Sequence, residues 1–91
     1  MTGQADDPVV RGLRDRISAV DQAIFAAVNR RLELVSELKR HKERRGYAFV
    51  DAERERALVE GQVAANRGPL SERGLRELYA TLLDLTKREL D

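Results

Sequence analysis

The chain contains no cysteine, and that absence removes two kinds of protein at once. Neither a disulfide framework nor a thiolate metal site can be built. A single histidine, His41, rules out the usual histidine-rich metal clusters. No apolar run approaches the roughly 20 residues that a membrane span requires. The polar start, Met1 to Asp7, lacks the basic-then-apolar order of a secretion signal, so a soluble, cytoplasmic protein is expected. Charge of one sign is also missing: 17 basic residues face 16 acidic ones, which gives nucleic acid no electrostatic footprint. Ninety-one residues allow one domain with a modest core.

What the chain has instead is helix. From Leu13 to Arg45 there is neither glycine nor proline, and most residues are good helix formers. Apolar residues recur at Val10, Leu13, Ile17, Val20, Ile24, Ala27, Leu34 and Leu38, the spacing of one helical face. Val28 and Val35 widen the stripe beyond a coiled-coil seam. Gly46 ends the run. Tyr47 and Phe49 then read as apolar anchors in a short loop, and Asp51 as the N-cap of a second helix. Asn66-Arg67-Gly68-Pro69 stops that helix, and Ser71 caps a third. The expected inward faces are Leu58, Val59 and Val63, then Leu75, Leu78, Tyr79, Leu82, Leu83 and Leu90. The fold class is therefore all-α, with helices about 9–45, 52–66 and 71–90 in one domain spanning 9–91, after a disordered tail over 1–8.

The first helix is too long for its own chain to cover. About 33 residues make a rod near 50 Å, whereas a compact chain of this size is only about 30 Å across. A second copy is the simplest cover, so a homodimer is expected.

Polar residues that interrupt the apolar pattern locate the candidate site. Heptad steps from Val10 through Ile17 and Ile24 reach Arg31, a guanidinium inside the stripe. A charge there needs an anionic partner, either a nearby glutamate or a bound ligand, unless its head reaches solvent. Lys42 follows 11 residues later, close to three full turns, and so shares that side of the rod. Lys39 and Arg40 point elsewhere, toward solvent. Arg14 is turned roughly 100° from Arg31, and it could join Arg31 only from a second, antiparallel rod. Asp51, Arg54 and Glu55 open the second helix beside exposed backbone N–H groups, an arrangement that capping alone would also explain. Thr86 faces the core side, where its hydroxyl could meet a ligand or bond its own helix. Glu60, Glu72, Arg73, Arg76, Glu77, Lys87 and Arg88 read as solvated. Arginine supplies 14 of the 17 basic residues, and its planar fork suits carboxylates.

Leu13-Arg14, Ile17, Asp21, Arg31 and Lys42, the segment Asp51-Ala52-Glu53-Arg54-Glu55, and the turn Asn66-Arg67-Gly68-Pro69-Leu70 occur in order and without gaps over two helices. With them the chain resembles the all-helical chorismate mutase family from about Val10 to Leu90. The resemblance implies three helices per chain and an intertwined homodimer, as in small stand-alone bacterial members. It also implies the rearrangement of chorismate to prephenate, the committed step toward phenylalanine and tyrosine in the shikimate pathway. By the same resemblance Arg14 would come from the partner subunit and join Arg31 on the substrate carboxylates. Lys42 would lie near the ether oxygen, and Asp51, Arg54 and Glu55 near the ring and its hydroxyl. Lys42, Arg31 and Glu55 would be the catalytic residues, with no metal and no cofactor. Thr86 takes a position where many members have serine. Leu90 falls where they have a glutamine or glutamate, and Glu89 is one residue out of register. That departure suggests catalysis aided by a complex with the first enzyme of the aromatic pathway. Rival readings keep the fold with 4-amino-4-deoxychorismate or isochorismate as substrate, or make the chain a non-catalytic helical dimerisation or regulatory module.

Overall fold

The computed structural model describes residues 3–91, and among them every regular element is helical. A 3₁₀ turn, Gln4–Asp6, precedes α1 (Pro8–Arg45), α2 (Ala52–Ala65) and α3 (Glu72–Glu89). The expected spans were about 9–45, 52–66 and 71–90. Within the expected tail, residues 1 and 2 lie outside the described residues, the 3₁₀ turn follows, and Pro8 already belongs to α1.

Local chemistry sets each boundary. At the start of α1 the Asp7 carboxylate accepts from the backbone N–H of Val9 at 2.8 Å, with proline at the first helical position. At its end Gly46 takes a φ of 71°, which a side chain would disfavour. Tyr47 N–H donates to the Lys42 carbonyl at 2.8 Å and Gly46 N–H to the Glu43 carbonyl at 3.2 Å. That pair of bonds is the Schellman stop, and Lys42, Arg44 and Arg45 complement the negative end of the helix. Asp51 caps α2 by accepting from Arg54 N–H at 3.0 Å, and Ser71 caps α3 by accepting from Gly74 N–H at 3.0 Å. Between them the Asn66 amide donates to the Leu70 carbonyl at 2.8 Å, which ties the turn.

The chain divides after Glu33 into two units. The first holds the 3₁₀ turn and α1 up to Glu33. Its apolar stripe lies in water: Leu13, Ile17, Val20, Ile24 and Phe25 are 48 to 67% exposed. The second unit holds the rest of α1, the loop, α2 and α3. Here α2 packs on α3, with Leu58, Val59 and Val63 half-buried, as are Leu75, Tyr79, Leu82, Leu83 and Leu85. No hydrophobic residue is fully buried among the described residues, and the one buried side chain is Thr86, 5% exposed.

Two apolar residues of the second unit are not where the sequence pattern puts them. Leu78, expected to face inward, is 62% exposed. Two residues turn a helix by about 200°, so with Arg76 directed at α2, Leu78 faces away from it. Tyr47, expected as an anchor, is exposed beneath the Arg45 guanidinium, 5.6 Å from its ring centre. Glu60 is exposed, as expected, and Arg76 partly so, and the two form a bidentate pair across α2 and α3 at 2.7 and 3.1 Å. Arg76 also lies 3.7 Å from Glu72. Because the pair remains open to water, its main effect is to fix the register of α2 on α3.

The pair has a pH signature. The hydrogen bond from Arg76, and then its charge, hold the Glu60 carboxyl below the ordinary glutamate range. Its contribution to stability is therefore complete above the unfolded value of about 4.3 and is lost as pH falls through the depressed value. Glu60→Gln should reduce stability at neutral pH and converge on the unmodified chain in acid. Denaturant titrations at several pH values check this, and parallel curves at every pH would contradict it.

Candidate active site

The candidate residues fall in both units. In the first, Arg14 is exposed on α1, and Arg31 is half-buried within the apolar stripe. Seventeen residues separate them, which sets them roughly 100° apart around the helix. The two guanidinium groups of one chain therefore project from different sides.

The second unit gathers the remaining groups. Lys42 is half-buried near the end of α1; its ammonium donates to the Phe49 carbonyl at 3.0 Å and lies 5.9 Å from the centre of the Phe49 ring. Phe49 is half-buried and serves as more than an apolar anchor. Lys39, expected in solvent, is half-buried on the same ring at 5.5 Å and donates to the Leu90 carbonyl at 2.8 Å. Lys39 precedes Lys42 by three residues, so the two are neighbours on the helix surface. That spacing was the available signal, and it could not show which of the two meets α3.

Asp51 and Arg54 are exposed at the start of α2, where Asp51 is engaged as the cap. Glu55, half-buried, has its carboxylate 3.5 Å from the Lys87 ammonium on α3. Lys87 is exposed, as expected of a solvated residue, yet it has this partner. Nothing in the sequence signals that pairing, because it depends on how α2 and α3 cross. The Thr86 hydroxyl donates to the Leu82 carbonyl at 2.7 Å and so bonds its own helix. Glu89 is exposed and Leu90 half-buried. His41 is exposed and Arg40 is bonded to Ser36 at 2.9 Å, so neither joins the cluster. A shallow hollow of about 240 Å³, lined by Lys39, Phe49, Val50, Lys87, Arg88 and Asp91, connects the Phe49 platform to the end of α3.

This arrangement offers fixed donors. Two ammonium groups converge on one ring, and a carboxylate is held by a third cation. The chemistry within reach is the binding of an anion and the stabilisation of negative charge that develops on it. The sequence model of the family described as chorismate mutase type II matches residues 13–89. The chain belongs to that family. No individual curated protein and no solved structure gives a significant match. As a chorismate mutase type II domain, the matched stretch takes in Arg14, Arg31, Lys42, Asp51, Arg54, Glu55, Thr86 and Glu89. Leu90 lies one residue beyond it. The three helices and the absence of strands among the described residues suit the family's all-helical fold. No described helix is long and apolar enough to cross a membrane.

The ring of Phe49 should matter beyond its volume. Phe49→Leu keeps an apolar side chain but removes the face on which both lysines rest. A loss of about 1 kcal/mol per partly exposed cation–ring contact is expected in chemical denaturation. Unchanged stability would mean that the two ammonium groups gain nothing from the ring.

Proposed function

We propose that this chain is a chorismate mutase that converts chorismate to prephenate in a site completed by a second copy of itself. The observation that carries the reading is the family match over residues 13–89, which spans all three helices. The exposed stripe from Leu13 to Ile24 supports the second copy, because that face gains most from being covered.

The reaction explains why fixed donors suffice. Within one molecule a carbon–oxygen ether bond breaks as a carbon–carbon bond forms, with no atom gained or lost. No nucleophile, base or redox partner enters. Two effects accelerate such a step: holding the reactant in its compact chair-like form, and donors aimed at the ether oxygen as negative charge grows there. In this reading Arg31 and Arg14 of the second copy hold the two carboxylates. Lys42 faces the ether oxygen. An ammonium has three N–H donors, so the bond to the Phe49 carbonyl leaves two for substrate. Glu55 accepts from the ring hydroxyl with the lone pairs that Lys87 leaves free, and Asp51 and Arg54 line the ring side. Thr86 closes the floor.

Leu90 supplies no donor where many family members place an amide or acid, so Lys42 carries the ether oxygen alone. A complex with the first enzyme of the aromatic pathway, which would tighten the end of α3, belongs to this reading, as does a cytoplasmic setting.

Purified protein should consume chorismate and release prephenate. Arg31→Ala should lower turnover by about 100- to 1,000-fold, the scale of losing one donor to developing charge. Chorismate absorbance with product analysis reads the result. Inert chorismate with turnover of isochorismate or 4-amino-4-deoxychorismate would keep the fold and replace the substrate. No turnover of any of the three, alone or with the pathway enzyme, would favour a non-catalytic dimer.

A further inference from the structure

We infer that Lys39 is a positioning residue that clamps the C-terminal end of α3 to the Phe49 platform and so holds Lys42 and the last turn of α3 in their working places. The inference rests on the mutase reading of the site.

The last carbonyls of a helix have no N–H within the helix to bond them, and the helix dipole leaves that end negative. In α3 the capping residue Leu90 offers such a carbonyl, and the Lys39 ammonium meets it at 2.8 Å across 51 residues of sequence. The cation comes from α1, so one contact both caps α3 and joins the two helices. Lys39 is half-buried and its ammonium stands 5.5 Å from the Phe49 ring centre, which limits where the head can go.

Lys42 shares this arrangement. Its ammonium is 5.9 Å from the same ring centre and bonds the Phe49 carbonyl at 3.0 Å. Two like charges on one ring repel, and each is held by a carbonyl of its own: Leu90 for Lys39, Phe49 for Lys42. The place of one therefore depends on the other. Without the Lys39 charge, Lys42 can spread over the ring and the Leu90 carbonyl loses its partner. Thr86 lies one turn before that end, with its backbone carbonyl accepting from Leu90 N–H at 3.1 Å, so fraying of the cap reaches the one buried residue of the described chain.

The test compares the full chain with Lys39→Met, which keeps length without charge, and Lys39→Arg, which can still bond a carbonyl and stack on a ring. Steady-state kinetics on chorismate and amide hydrogen exchange over residues 87–91 are read together. Lys39→Met should lower kcat by roughly ten- to a hundred-fold, the scale of a small misplacement of a reacting group, with KM within about twofold. Its last-turn amides should exchange faster, and Lys39→Arg should restore most of both. If the methionine variant fails to fold, Lys39→Leu, which removes both the donor and the charge, carries the same comparison. Unchanged kcat and exchange would overturn the inference. A raised KM with unchanged kcat and a protected last turn would also overturn it, because Lys39 would then bind substrate itself. If the unmodified chain leaves chorismate untouched, the mutase reading fails on its own, and the exchange result still decides whether the clamp exists.

Discussion

An apolar helix face that lies in water is the constraint on which everything else in this molecule depends. Leu13, Ile17, Val20, Ile24 and Phe25 present about half of their surface or more to solvent, and no hydrophobic residue among those described is fully buried. Covering the exposed half of such a side chain contributes on the order of 1 kcal/mol. Five of them on each of two chains reach the scale of the cost of association, about 4–15 kcal/mol. A second copy covering this face, as proposed, would therefore gain enough to matter energetically. It would also answer the geometric question set by Arg14 and Arg31, which project from different sides of one helix.

The helices were legible because their signals are local. Asp51 and Ser71 cap α2 and α3 by accepting from N–H groups three residues on, as their side chains and positions imply. Gly46 stops α1 because it can adopt the left-handed conformation that the stop requires. The family resemblance was legible for a related reason: Arg31, Lys42 and the Asp51–Glu55 segment sit at spacings that pattern alone preserves, and the family match covers them.

What escaped the sequence lies between helices. The angle of Lys39 on α1 points it toward solvent, yet the end of α3 comes to meet it. Glu60 with Arg76 and Glu55 with Lys87 are charges that any single helix would show as surface residues; the crossing of α2 and α3 pairs them. Leu78 failed the other way, as an apolar residue on the flank that the same crossing leaves open. Helical period tells which residues share a face. It does not tell which face a neighbour chooses. In the proposed site these pairings would matter, since Lys42 is bonded to the Phe49 carbonyl and Glu55 lies beside Lys87.

The most direct test of a site shared between two copies is a mixing experiment with Arg14→Ala chains and Lys42→Ala chains, each inactive alone. After subunit exchange, half of the dimers are mixed, and each mixed dimer contains one site with both residues intact. Activity on chorismate should then return to about a quarter of that of the unmodified protein, the value set by random pairing in a two-fold dimer. If activity stays at background after exchange is confirmed by mass, Arg14 does not act across the interface and the shared site is wrong.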